Sequence, residues 1–335
     1  MELATLFLLS GAFMGWSVGT NDASNVFGTA VGTRVVRFRT AIWLTAIFAV
    51  LGAAISGREV IGTLGGYAQA NAVNTGLAAF IVMLVAATIV TFMSIVKAPV
   101  STSQCIVGAL VGWGLSQGSA DWTRTAGFAS AWILSPILTM FVSLGLCWVA
   151  QRYVESKVKG LAAYDSFIKW GYLIAGMFGA YSMGANNAAN ATGIYLHVGI
   201  FDGPVAWLNY ILPFEVTVPF VAALIGGITI ALGTLTFSKR VMLAVGEGIA
   251  KLSPLQGFLV VLASSLTMFV FSLEFTGGIS ISTSQAVVGA VMGASFSKGH
   301  RGLDFKVLGR IFIAWFGTPT LAGLITYLIG IAFFR

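Results

Sequence analysis

Long apolar stretches recur through this chain and constrain its fold more than any other feature. Seven blocks stand out: Leu3–Phe13, Ile42–Ile55, Leu77–Val96, Trp132–Ala150, Val216–Leu235, Phe258–Phe275 and Ile311–Phe334. Each is long enough, alone or with its polar continuation, to cross a hydrocarbon core about 30 Å thick. Backbone groups in lipid must be satisfied internally, which leaves helices or closed barrels. The runs are continuous and do not alternate with period two, so helices are expected. Charged residues make up only 9% of the 335 and hydrophobic ones 57%, against roughly 25% charged in a soluble domain. The expected fold class is an all-α polytopic membrane protein.

The remaining bulk properties fit that class. A formal charge of +7 has no soluble basic domain through which to meet nucleic acid, so the lysines and arginines are expected to orient helices. Cys105 and Cys147 lie in apolar segments and read as small packing residues, not as a disulfide or a metal pair. Met1-Glu2 carries no basic region and no small-residue cleavage site follows, so the first helix is expected to be retained.

The chain repeats itself. Ser17-Val-Gly-Thr-Asn-Asp-Ala-Ser-Asn-Val-Phe-Gly28 aligns with Ser182-Met-Gly-Ala-Asn-Asn-Ala-Ala-Asn-Ala-Thr-Gly193. Ser101-Thr-Ser-Gln-Cys-Ile-Val-Gly-Ala-Leu-Val-Gly112 aligns with Ser282-Thr-Ser-Gln-Ala-Val-Val-Gly-Ala-Val-Met-Gly293. Two matches in the same order imply duplication. The expected organisation is a first repeat over 1–150, a charged amphipathic linker over 151–169 and a second repeat over 170–335. A longer loop around Leu196–Leu212 absorbs the change of spacing.

Charge suggests that the two repeats are inverted. With the linker cytoplasmic and each repeat making three crossings plus one re-entrant helical hairpin, fourteen of the 18 basic residues fall on the inner face. Equivalent loops carry opposite bias. The loop after the first motif is basic in half one and has no Lys or Arg in half two; the loop after the second motif reverses this. Both termini are then outside a cell membrane. Small-residue helix faces allow a homodimer, though packing within one protomer explains them equally well.

The motifs carry the chemistry. The first interrupts an apolar helix with amides and, in half one, with Asp22, a carboxylate costing about 2.5–3.5 kcal/mol at the bilayer centre. A solvated helix end would need no Asn21/Asn186 and Asn25/Asn190 in register. Carboxylate, amide and unwound carbonyl oxygens suit a small hard cation, and soft ligands are missing. The second motif follows a helix break at Pro99 or at Gly277-Gly278. New helices are expected to begin near Ser101 and Ser282 with hydroxyls as N-caps. Their free amides would favour an anion, and two such tips from inverted halves would enclose one tetrahedral oxyanion. The alternative is that the hydroxyls only cap buried helix starts. Lys97 and Glu274 lack repeat equivalents and are expected outside the core site; His197 and His300 fall in loops. No nucleophile–base pair, Walker loop or dinucleotide loop appears, so an enzyme is not expected.

At four motifs the chain resembles the inorganic phosphate transporter (PiT) family: Gly19-Thr-Asn-Asp-Ala-Ser-Asn25, Gly184-Ala-Asn-Asn-Ala-Ala-Asn190, Pro99-Val-Ser-Thr-Ser-Gln104 and Ile281-Ser-Thr-Ser-Gln285. The resemblance covers nearly the whole chain and implies phosphate symport driven by a sodium or proton gradient. Carried onto this sequence, it implies phosphate near Asn25, Thr102, Ser103, Gln104, Asn190, Thr283, Ser284 and Gln285. Sodium, the expected coupling ion, falls to Asn21, Asp22, Ser101, Asn186, Asn187 and Ser282. Two departures matter: Asn187 replaces the usual aspartate, and Gln104 and Gln285 replace two histidines. Asp22 is then the one titratable group within the four motifs, which favours sodium over a proton relay. A proton-coupled phosphate or sulfate carrier and an uncoupled anion channel remain the alternatives.

Overall fold

The computed structural model describes residues 2–96, 100–153, 160–211, 213, 215–248, 252–297 and 303–334. The first half supplies α1 (Glu2–Gly32), α2 (Phe38–Ser56), α3 (Arg58–Ala70), α4 (Gly76–Ile95), α5 (Thr102–Gln117) and α6 (Trp122–Tyr153). The second supplies α7 (Leu161–Thr192), α8 (Asp202–Ile211), α9 (Val218–Phe237), α10 (Lys239–Gly248), α11 (Pro254–Phe271), α12 (Thr283–Phe296) and α13 (Phe305–Phe333). The seven apolar blocks fall in α1, α2, α4, α6, α9, α11 and α13. Six of these, all but α1, are long and apolar enough to cross a membrane. α1 and α7, at 31 and 32 residues, reach about 45 Å at 1.5 Å per residue, but each carries a polar motif.

The chain is turned inside out relative to a soluble protein. Trp43, Ile55, Phe92, Phe141, Ile313 and Phe316 are exposed, whereas Asp22, Asn186, Asn187 and Asn190 are buried. Large apolar side chains outward and amides inward is the arrangement lipid selects. The molecule is a multi-pass membrane protein.

Local signals set the helix ends. The Thr75 hydroxyl accepts from the Ala78 amide at 3.2 Å to start α4. Ser253 and Gln256 form a reciprocal capping box ahead of α11, with Pro254 at its first position. Asp304 accepts from the amides of Lys306 and Val307 at the start of α13. α5 closes on Gly118 in the left-handed region at φ 72°.

Contacts between the halves come in exchanged pairs. α5 packs on α13 and α12 on α6; α1 packs on α4 and α9, while α7 packs on α11 and α2. Gly19 lies against the Ile230 carbonyl and Gly184 against that of Ala49, with no room for a Cβ at either. Gly108 meets Pro319 and Gly289 meets Pro136 in the same way. Such backbone-to-backbone approaches are how membrane helices associate, since lipid supplies no hydrophobic drive between them.

The structure bears on three expectations. The first motif does not interrupt its helix: α1 and α7 run through it unbroken. Tertiary packing holds the helices straight, with Gly19 against the Ile230 carbonyl and Gly184 against that of Ala49. The motif therefore offers side-chain oxygens and no unwound carbonyls. Second, within the expected 151–169 linker Gln151–Tyr153 end α6 and Leu161–Lys169 begin α7. Third, the longer loop of half two is partly helical, holding a 3-10 turn at Gly193–Tyr195 and α8. Lys97, Pro99, His300 and the centre of the linker lie outside the described residues.

Candidate functional site

The second motif folds as its sequence predicts. Ser101 caps α5, its hydroxyl accepting from the Gln104 amide at 3.2 Å. Ser282 caps α12 in the same way from the Gln285 amide at 3.3 Å. Each cap residue is itself extended, and ahead of α12 the chain turns through Gly277 at φ 83° and Gly278 at φ 55°. Those positive values are the reason glycines stand there.

Each capped tip docks on the motif helix of its own half, and the two dockings correspond residue by residue. Asn21 donates to the Val100 carbonyl at 3.3 Å. Asn186 donates to the Ile281 carbonyl at 2.8 Å and accepts from the Ile281 amide at 3.0 Å. The Thr102 hydroxyl reaches Asp22 at 3.5 Å; Asn187 donates to the Thr283 hydroxyl at 3.0 Å. Asn21 also donates to Asp22 at 2.8 Å. Residues 21, 22 and 25, like 186, 187 and 190, fall within about 100° of one another around the helix, which is why a straight helix can present all three.

The halves then meet. Asn190 donates to Asn187 at 2.8 Å and reaches across to the Thr102 and Ser103 hydroxyls at 3.5 and 3.4 Å. Ser280 donates to Asn190 at 3.2 Å and lies 3.2 Å from Ser103, which in turn donates to the Ile281 carbonyl at 3.2 Å. The tips of the two hairpins, α4–α5 and α11–α12, thus touch at Ser103 and Ser280. All fourteen residues expected at the site are buried.

Two members stand apart. Gln104 and Gln285, expected to contact phosphate, join no side-chain hydrogen bond of this cluster. They line a cavity with Trp132, Pro136 and Trp315. At the third position of their helices they point to a different side from Thr102 and Thr283. Asn25 is buried with the cluster but makes none of these bonds among the described residues. Ser280 and the carbonyls of Val100 and Ile281 were not expected. Val100 and Ile281 directly precede the caps in both halves, so the repeat pattern held a signal for them; Ser280 has none.

Asp22 is the cluster's single carboxylate and is 1% exposed. Its donors are the Asn21 amide and the Thr102 hydroxyl, with Thr283 also interacting from the other half. A buried carboxylate held only by neutral donors keeps a desolvation cost of several kcal/mol that a bound cation would offset. No group of three His, Cys, Asp or Glu side chains converges among the described residues. The oxygens on offer are hard ones: carboxylate, amide, hydroxyl and carbonyl.

A multi-pass helical protein that buries one carboxylate among amides and hydroxyls, where two capped hairpin tips meet, has the build of a carrier for small ions. A family model described as the phosphate transporter family matches residues 18–326, and the chain belongs to that family. A Pyrococcus furiosus protein named as a phosphate permease is 26% identical over 400 aligned positions, covering 96% of this chain and 94% of its own. A Rhizobium meliloti protein named as a low-affinity inorganic phosphate transporter is 29% identical, covering 92% of this chain and 90% of its own. A solved structure described as the sodium-dependent phosphate transporter shares the fold, with a TM-score of 0.81 and 24% identity over 98% of this chain and 99% of that one.

Proposed function

We propose that this protein takes up inorganic phosphate by symport with sodium, through alternating access around the buried cluster. The observation that carries the reading is Asp22: one carboxylate, fully buried, with neutral hydrogen-bond donors at the junction of both halves. Sodium near Asp22, with Asn21, Ser101 and the Val100 carbonyl, compensates that charge. The corresponding place in half two, with Asn186, Asn187, Ser282 and the Ile281 carbonyl, supplies neutral oxygens only. Cations at these two places then lower the cost of bringing a phosphate anion to the start of α5 and α12. There the hydroxyls of Thr102, Ser103, Thr283 and Ser284 and the amides of Asn25 and Asn190 are at hand, and both helix N-termini carry partial positive charge. The sodium dependence named for the solved relative supports the coupling ion.

The exchanged contact pairs support two repeats of inverted topology, so that rocking one against the other opens the site to alternate faces. The charge distribution over the loops supports a cytoplasmic linker and outward termini. The deciding measurement is radiolabelled phosphate uptake into proteoliposomes, with and without an inward sodium gradient, at fixed pH and clamped voltage. Concentrative uptake that requires sodium is expected. Uptake that follows a proton gradient and ignores sodium, or flux that never exceeds equilibrium, overturns the proposal.

A further inference from the structure

Behind the hairpin tips lies a cavity of about 270 Å³. It is walled by α6 and α13 on one side and by α5 and α12 on the other. Its lining is apolar, chiefly Pro136, Ile137, Met140, Met292, Phe312 and Phe316. Four polar groups interrupt it: Gln104, Gln285, Trp132 and Trp315. In each glutamine the carbonyl oxygen Oε1, and in each tryptophan the indole Nε1–H, is buried without a hydrogen-bond partner among the described residues. Gln104, Gln285 and Trp315 are 6%, 5% and 3% exposed, so bulk water does not answer for them. Buried polar groups left unpaired cost about 1–3 kcal/mol each, and a cluster of four in one place calls for an explanation.

Repeat symmetry adds weight. Gln104 and Gln285 occupy the same position of the second motif, and Trp132 and Trp315 each stand four residues before the proline inside their helix, Pro136 or Pro319. The four groups are thus two donors and two acceptors paired across the halves. They share no hydrogen bond with the cluster around Asp22. Two of its lining residues, Ile133 and Phe316, are 67% and 75% exposed, on the apolar outer surface of the helices.

We propose that this cavity binds a small neutral amphiphile drawn from the bilayer: an apolar body carrying one hydroxyl at its inner end. A hydroxyl donates once and accepts twice, so it takes an indole N–H and answers a glutamine carbonyl together. The apolar body fills the Ile137, Met140, Met292 and Phe312 walls, the usual division of labour in a ligand pocket. An inorganic anion suits the place less, since nearly every wall atom is apolar and no cationic side chain lines it among the described residues.

The test uses the full-length protein in lipid nanodiscs, without phosphate or sodium, and a diazirine-bearing decanol as photolabel. The site predicts saturable labelling mapped to residues 132–140 and 312–316 and competed by plain decanol. Trp315→Phe and Gln285→Leu, which keep much of the bulk, are expected to weaken labelling by roughly two- to tenfold each, the worth of one hydrogen bond. Ile137→Trp, which fills the cavity, is expected to abolish it. Unsaturable labelling spread over all lipid-facing helices overturns the proposal, as does labelling indifferent to both polar substitutions. Since no transport is read, these outcomes stand whether or not sodium drives uptake.

Discussion

The hydrogen bonds that tie the tip of α5 to α1 and those that tie the tip of α12 to α7 follow one pattern built twice, and the two differ in one ionisable group. In each, an asparagine seizes the carbonyl ahead of the cap, and the next residue meets the first threonine of the capped helix. Half one has Asp22 at that next position; half two has Asn187. Asn187 brings its own donor and gives it to Thr283, so its place is satisfied without help. Asp22 can only accept, and its charge is unmatched by any of its donors. The scaffold is symmetric, and the demand for a cation is not.

The strongest way to break that comparison is Asp22→Asn, which makes the two halves alike. Charge-assisted contacts are worth about 1.5–3 kcal/mol, so sodium-driven phosphate uptake is expected to fall roughly ten- to hundredfold with its sodium dependence flattened. Proteoliposome uptake across a sodium titration reads both; an unaltered sodium response removes Asp22 from the coupling site. The sharper test is the exchange. Asp22→Asn combined with Asn187→Asp restores one carboxylate on the opposite half, and it is expected to recover part of the uptake lost by the single variant. No recovery would mean that the halves, though alike in contacts, are not equivalent in the cycle.

The sequence made one part of this legible and hid another for identifiable reasons. The apolar runs announced seven helices because lipid permits little else. The caps at Ser101 and Ser282 were readable because a break followed by Ser-Thr-Ser-Gln is a local signal. The straightness of α1 and α7 was not readable. Asn, Asp and glycine usually weaken helices, and only tertiary contacts, such as Gly19 against Ile230 and Gly184 against Ala49, show them packed into one. Nor could the direction of Gln104 and Gln285 be read. Residues 102 and 104 are adjacent in a motif yet about 200° apart around a helix, so one reaches the cluster while the other lines the cavity with Trp132 and Trp315. The motif reads as one site along the chain, whereas its side chains leave the helix in two directions.

Asn190 offers a smaller perturbation, since it links the dockings without being part of the charge difference. Its amide spans Asn187, Thr102 and Ser103, and its carbonyl takes the Ser280 hydroxyl. Asn190→Ala strips these bonds and leaves buried hydroxyls unpaired, a cost of about 1–3 kcal/mol. Uptake is expected to drop roughly tenfold, with thermal stability lowered by a few degrees and sodium dependence retained. A flattened sodium response here would place coupling in the contact between tips and away from Asp22.

The mildest change compares the caps themselves. Ser101→Ala and Ser282→Ala each remove one N-cap, worth about 0.5–2 kcal/mol, and both caps are buried with similar bonds to the amide three residues on. If they acted as caps alone, the two variants would lose the same stability and the same small fraction of uptake. Ser101, however, adjoins the half that holds Asp22, and its oxygen is expected to contribute to a bound cation as well. Ser101→Ala should therefore raise the sodium concentration for half-maximal uptake by a fewfold, and Ser282→Ala, beside neutral oxygens only, by less at matched loss of stability. Equal sodium responses would return both serines to a purely capping role and leave the asymmetry to Asp22 alone.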